Sequence, residues 1–154
     1  MKGVTHAAAG AVIGALVAPP GAKPLAAAVG WFAALLPDID EPRSSLGSRV
    51  PVASWAIHGL FGHRGVTHTL LFAVLAACGG WAVAPYLVLA PSLAASAAFL
   101  GAASHVLLDS LTPSGTEPLW PVVKTRVAGP ISTGTLLEYP LSLLLVWLAW
   151  AAVK

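Results

Sequence analysis

Long apolar segments decide what this chain can fold into. They cover residues 4–18, 25–36, 69–90, 92–111 and 136–153. The last three approach the roughly 20 residues of helix that a bilayer core requires. Between them charge is scarce: 9% of the side chains are Asp, Glu, Lys or Arg and 57% are apolar, whereas soluble domains carry about a quarter charged residues. A water-soluble domain of 154 residues needs more polar side chains on its surface than this, so lipid is the remaining solvent. The composition also excludes a disordered chain, and a formal charge of +2 gives no electrostatic footprint on a nucleic acid. Cys78 is the single cysteine and forms no intramolecular disulfide.

The expected fold is all-α: an integral membrane bundle of about five helices in one domain, residues 1–154,. The first two helices are short. Pro19-Pro20-Gly21-Ala22-Lys23-Pro24 joins them, and because that cluster cannot continue a helix it predicts a thin hairpin. A secretory leader is the competing reading of the opening, since Lys2 precedes an apolar run that ends in Ala18-Pro19-Pro20-Gly21-Ala22,. His6 inside that run, and the second apolar segment directly after it, favour a retained helix. Gly79-Gly80 and Pro85 permit a kink in the third segment without abolishing the span,. In the polar stretch before it, Pro51–Phe61 has Pro at a helix start and a short apolar stripe. This predicts a helix lying at the interface or buried as a short core helix.

Threading the chain as alternating crossings brings the ionisable groups to one face. His6 begins the first helix, Asp38 and Asp40 follow the second, His68 precedes the third, His105 and Asp109 end the fourth, and Glu138 starts the fifth. Lys2, Arg43, Arg49, Arg64, Lys124 and Arg126 fall on that side, with Lys23 and Lys154 opposite. The basic excess predicts a cytoplasmic site, an internal N-terminus and an external C-terminus.

His105 and Asp109 stand four apart on an apolar helix, about 6 Å from each other on one face. They read either as metal ligands or as a hydrogen-bonded packing pair. Asp38, Asp40 and Glu41 directly follow an apolar helix, where the helix dipole opposes carboxylates and favours a nearby cation. Hard oxygen donors beside imidazoles suit zinc, manganese or iron. In Gly62-His63-Arg64-Gly65-Val66-Thr67-His68 the imidazoles are candidates for metal binding or proton transfer, and Arg64 offers a planar fork for phosphate or carboxylate. The competing reading is an interfacial loop meeting lipid headgroups. Glu138 is a helix N-terminal carboxylate or a general base, and His58 reads as structural. Trp120-Pro121, with Lys124 and Arg126, suits an interfacial loop,.

Three motifs, LLPDIDEPRSSLGSR, GHRGVTHTLL and SHVLLDSLTPSGTEPLWP, closely resemble the LexA-regulated, membrane-bound, metal-dependent hydrolase family of YdjM-like inner-membrane proteins. The resemblance runs in order from His6 to Glu138. It implies a multi-helix inner-membrane protein and a metal-dependent hydrolase. A looser similarity to zinc-dependent phospholipase C lets His6, Asp38 or Asp40, His68, His105 and Asp109 be laid along that enzyme's ligand order. His105 is the last histidine here, so one or two metals are implied rather than three.

The expectation is therefore a membrane hydrolase acting on a phosphoester of a phospholipid or lipid-linked substrate. His6, Asp38, Asp40, His68, His105 and Asp109 are the candidate ligands of a divalent metal, zinc first and manganese or iron next. Asp40 or Glu138 is the candidate acceptor of the water proton, His63 a proton carrier, and Arg64 the residue that neutralises phosphate charge. A metal transporter or sensor using the same ligands without chemistry is the alternative, but ligands crowded at one face suit it less than a midplane site would. No His-Glu-x-x-His occurs, which disfavours a metalloprotease.

Overall fold

The computed structural model describes residues 1–136 and 138–154; Leu137, within the predicted fifth segment, lies outside the described residues. All regular structure among the described residues is helical apart from one isolated bridge, Thr116 to Val127. The α-helices are α1 (Gly3–Leu16), α2 (Lys23–Ala33), α3 (Pro51–Phe61), α4 (Leu70–Val83), α5 (Pro91–Ser110) and α6 (Glu138–Val153).

Local chemistry sets their ends. Helix α1 stops short of Pro19-Pro20, and Pro24, Pro51 and Pro91 each lie in the first turn of a helix, where a missing N–H costs no hydrogen bond,. Thr69 caps α4 by accepting from the Phe72 N–H at 3.1 Å,. Pro85 ends the regular part of α4 and converts it to a 3-10 turn, Ala84–Leu87, after which Val88 at φ 53° reverses the chain into α5,.

The spans differ from the expectation in two places. Among the described residues, three helical stretches are long and apolar enough to cross a membrane: Pro20–Asp40, Leu70–Leu87 and Pro91–Ser110. The second segment reaches spanning length because 3-10 turns, Pro20–Ala22 and Leu36–Asp40, extend α2 at both ends. The fifth segment, expected to span, gives α6 with 16 residues, in the same shorter class as α1. Helix α3, expected apart from the five apolar segments, brings the α-helices among the described residues to six. Of its residues only Ser54 is buried, with Val52, Trp55, Leu60 and Phe61 exposed, so the buried-core arrangement does not apply, and the exposed apolar side chains are those an interfacial helix would present.

Packing runs inside out relative to a soluble domain. The interior is mostly alanine, including Ala26, Ala73, Ala94, Ala97 and Ala102 at 0% exposure, while Trp31, Phe32, Leu75, Trp81, Leu143 and Trp147 face outward. Large apolar groups gain nothing by leaving lipid, so close backbone approach drives association instead. At the crossing of α1, α2 and α5, a Cβ on Gly10 would lie 2.2 Å from the Gly30 carbonyl oxygen, and one on Gly101 2.5 Å from the same oxygen. These three backbones touch directly. Helix α1 also packs on α6, and α4 on α5. The result draws the first turns of α1 and the last turns of α5 together beneath the 3-10 turn Leu36–Asp40.

Candidate metal centre

Five side chains from four parts of the chain converge at this polar end. His6 comes from α1, Asp38 from the turn after α2, His68 from the 3-10 turn Val66–His68, and His105 and Asp109 from α5. Ligand atoms of His6, His105 and Asp109 lie within 4.8 Å of one another, as do those of Asp38, His68 and His105. His105 belongs to both groups. All except Asp38 are buried to within 2%. On α5 the four-residue spacing directs His105 Nε2 to 3.8 Å from Asp109 Oδ2,.

The second nitrogen of each imidazole decides what the first can do. His105 Nδ1 lies 2.7 Å from the Ala34 carbonyl oxygen; a carbonyl only accepts, so Nδ1 carries the proton and Nε2 of the neutral ring is a lone pair. His68 Nδ1 lies 3.1 Å from Thr67 Oγ1 and 3.5 Å from Asp40 Oδ2, while the Thr67 hydroxyl donates to Asp40 Oδ2 at 2.7 Å. Thr67 oxygen is thereby the acceptor for His68. The two Nε2 atoms then face each other at 3.2 Å. Asp38 Oδ1 sits 3.6 Å from His68 Nε2 and 3.5 Å from His105 Nε2, and Asp109 Oδ2 sits 3.6 Å from His68 Nε2.

Four acceptor atoms around one point repel one another unless a cation lies among them. The Arg64 guanidinium against Asp109 Oδ2 and the Met1 ammonium against Asp109 Oδ1 supply part of that charge; a proton or a divalent metal between the two Nε2 atoms and Asp38 Oδ1 supplies the rest. Burial disfavours a charged His68, but hydrogen bonds to Asp109, Asp38 and Asp40 outweigh burial and push its imidazole up to about 10,. His6 makes the same demand differently. Its ring is fully buried and stacked on His105 with centroids 3.7 Å apart, yet neither ring nitrogen has a hydrogen-bond partner. Nε2 lies 3.2 Å from Asp109 Oδ1. A buried, unpartnered imidazole beside a carboxylate fits a metal ligand. The donor set therefore fits a divalent ion, with His6, Asp38, His68, His105 and Asp109 as the residues able to hold it.

The remaining sequence-selected residues lie around this core. Asp40 is outside both convergent groups. Its oxygens accept from His63 Nδ1 at 3.0 Å, the Arg64 N–H at 2.9 Å and Thr67, and through Thr67 and its own Oδ2 it orients His68. Asp40→Asn is expected to lower metal affinity about 10- to 100-fold while leaving the metal-to-protein ratio at saturation unchanged, measured by titration with a chelator-buffered metal. A lower ratio at saturation would instead make Asp40 a ligand.

Arg64 reaches in from the loop before α4. Its Nη2 pairs with Asp109 Oδ2 at 2.8 Å, and its Nη1 donates to Thr112 Oγ1 and the Gly115 carbonyl at 3.0 and 3.2 Å. Arg64 holds φ 65° and follows Gly62 at φ 72°, so this loop takes left-handed backbone twice in three residues. His63 is 35% exposed. Glu138 lies apart, at the α1–α6 contact, where Lys2 N, Gly134 N and Thr5 Oγ1 all donate to its carboxylate. It is occupied as a helix-start acceptor. His58 Nδ1 ties α3 to the Asp40 carbonyl at 2.9 Å.

Two contributors escaped the sequence reading. Thr67 was legible only as a neighbour of His68. The Ala34 carbonyl had no signature at all, because every residue carries one.

Comparison with known proteins agrees with a membrane protein. The family described as YdjM inner membrane protein matches residues 1–153. The inner membrane protein YdjM of Escherichia coli (strain K12) is 40% identical over 126 residues, covering 75% of this chain and 61% of that protein. The protein of the same name from Shigella flexneri matches equally. Uncharacterized protein YvsG of Bacillus subtilis (strain 168) is 34% identical over 116 residues, 74% of this chain and 69% of that protein. The chain thus spans about 61% of the length of the first two relatives. No solved structure matches. By a match over nearly its full length, this chain belongs to the family of YdjM inner membrane proteins.

Proposed function

We propose that this protein is a membrane-embedded, metal-dependent hydrolase that cleaves a phosphoester of a phospholipid or another lipid-linked phosphate. The observation that carries this reading is the ring of facing acceptors, His68 Nε2, His105 Nε2, Asp38 Oδ1 and Asp109 Oδ2, with the Arg64 guanidinium against it. The resemblance of the motifs around these residues to metal-dependent hydrolases points the same way. Mixed imidazole and carboxylate donors favour zinc, with manganese or iron next. A divalent ion held there supplies a reactive water at neutral pH and polarises a phosphoryl oxygen.

The chain's own residues do the rest. Arg64 is fixed by three acceptors, so its charge is oriented in advance toward a phosphate that gains negative charge on attack. His63 is exposed at the mouth of the site and bound to Asp40. It borders, with Asp38 and Asp109, a polar cavity of about 350 Å³. That places His63, rather than the fully occupied Glu138, to take a proton out to solvent.

The site faces the cytoplasm in this reading, because Lys2, Arg43, Arg49, Arg64, Lys124 and Arg126 lie on segments at its end of the bundle and Lys23 and Lys154 at the other,. A reporter fused after Lys154 is expected outside the cytoplasm; a cytoplasmic signal would reverse the orientation.

Elemental analysis of the purified protein in detergent is expected to find roughly one or two divalent ions per chain. Chelation should abolish turnover on a panel of phospholipids and lipid phosphates, and zinc should restore it. Protein without metal would sink the proposal. Bound metal with no turnover on any ester would leave a metal carrier or sensor.

A further inference from the structure

We propose that the substrate enters sideways from the bilayer: the groove between α1 and α2 holds an acyl chain of a membrane lipid whose anionic phosphate headgroup reaches the metal centre. The fate of the headgroup rests on the hydrolase reading above. The path of the tail rests on separate observations.

Two cavities adjoin at Gly3 and Ser45, which border both. One is the polar cavity at the metal centre, lined by Asp38, Asp109, Arg43 and Arg64 among others. The other, about 520 Å³, is walled by Val4 and Ala7 of α1, Trp31, Phe32 and Leu35 of α2 and its extension, and Leu46. Val4, Trp31 and Phe32 are each about half exposed on the outer surface, so this groove opens toward lipid hydrocarbon. A Cβ on Gly3 would lie 3.0 Å from Ser45 Oγ, so glycine keeps the junction wide.

Charge marks the same junction. Arg49 lines the apolar groove and donates from Nη1 to the Ser45 carbonyl, which puts its guanidinium where the two cavities meet. Among the described residues, Arg64 is the one arginine held in an ion pair; Arg43 and Arg49 are available to an anion. An apolar slot open to lipid, leading past unpaired guanidinium groups to a cation-demanding centre, matches an anionic amphiphile from tail to head. A second apolar groove, between α2, α4 and α5, about 500 Å³ and bordered by Leu25, Val29, Phe72 and Leu87 among others, has no charged lining residue and shares none with the polar cavity. It is a lipid-packing surface with no path to the centre.

The test uses the full chain reconstituted in phosphatidylcholine vesicles doped with phosphatidic acid that carries a diazirine in one acyl chain. A matched diacylglycerol probe lacks the phosphate. After illumination, mass spectrometry is expected to place the phosphatidic acid adducts on α1, α2 and Leu46 around the groove. Val4→Trp, at an exposed position, should cut those adducts roughly tenfold with metal content unchanged. Arg49→Glu should cut capture of phosphatidic acid roughly tenfold, about 1.4 kcal/mol, without changing capture of diacylglycerol. Adducts spread evenly over the lipid-facing helices, or gathered between α2, α4 and α5, would overturn the proposal, as would equal effects of Arg49→Glu on both probes. Groove adducts in a protein that hydrolyses nothing would refute the hydrolase and keep the lipid path. Turnover with scattered adducts would do the reverse.

Discussion

Replacing His105 with alanine is expected to abolish metal retention and to reduce phosphoester turnover by roughly a thousandfold or more, about 4 kcal/mol of transition-state stabilisation. His105 is the one residue common to both groups of convergent ligand atoms, so its loss leaves each with two. Its Nε2 faces His68 Nε2 and Asp38 Oδ1, and its ring forms one wall of the stack that holds His6. Removing it also leaves the Ala34 carbonyl without its donor, a loss of order 1 kcal/mol. Truncating the buried, stacked ring adds a cavity cost of about 2 kcal/mol or more,, so folding is measured directly. Metal content by elemental analysis, turnover, and thermal unfolding in detergent separate the two effects. A variant that folds, lacks metal and turns over normally would refute the metal-dependent mechanism. The same loss of metal without any measured hydrolysis in the parent would keep the centre and remove the enzyme.

The largest effect on stability is expected from Gly30→Val. A Cβ at Gly30 would lie 2.2 Å from the Gly10 carbonyl oxygen and 3.2 Å from the Gly14 Cα, and backbone cannot yield there as the tip of a flexible side chain would. The helices must separate. Overpacking a filled interior costs about 1–3 kcal/mol and more where the obstacle is main chain, so a loss of about 3 kcal/mol or more is expected, read as a lower unfolding midpoint in detergent. Because α2 leads directly into the turn that carries Asp38, the same displacement should weaken metal binding even in protein that remains folded. Gly79→Val is the control: nothing lies within 4 Å of a Cβ there, and the change should be close to neutral. Equal tolerance at both positions would mean that close packing of α1 and α2 is not what holds this end together.

How much was legible beforehand follows from what each feature depends on. The α-helices from Leu70 and from Pro91 were readable because they depend on local apolar length, and Pro85 signalled a kink, which the structure realises as the 3-10 turn Ala84–Leu87. The spanning length of Pro20–Asp40 was not, because two 3-10 turns joined end to end with α2 leave no periodic pattern. Pro51–Phe61 was legible as a helix, but its face was not: exposure depends on what packs against it, and a short stripe looks alike in lipid and in a core.

The candidate site divides the same way. Residue types and chain threading alone brought His6, Asp38, His68, His105 and Asp109 to one end, since each sits within a turn or two of a helix boundary and alternate crossings return those boundaries to one side. Asp38 and Asp40 were indistinguishable in sequence, two residues apart in one turn. Tertiary structure separated them: Asp38 faces both Nε2 atoms, whereas Asp40 is surrounded by donors from the loop between Gly62 and His68. Glu138 was likewise open until packing against α1 supplied its donors. Sequence determined which solvent the chain requires and which end carries its charge, because both follow from composition along a thread. Tertiary structure alone decided which oxygen meets which nitrogen, because hydrogen-bond partners come from segments far apart in the chain and are settled within an ångström by how closely three glycines let their helices approach.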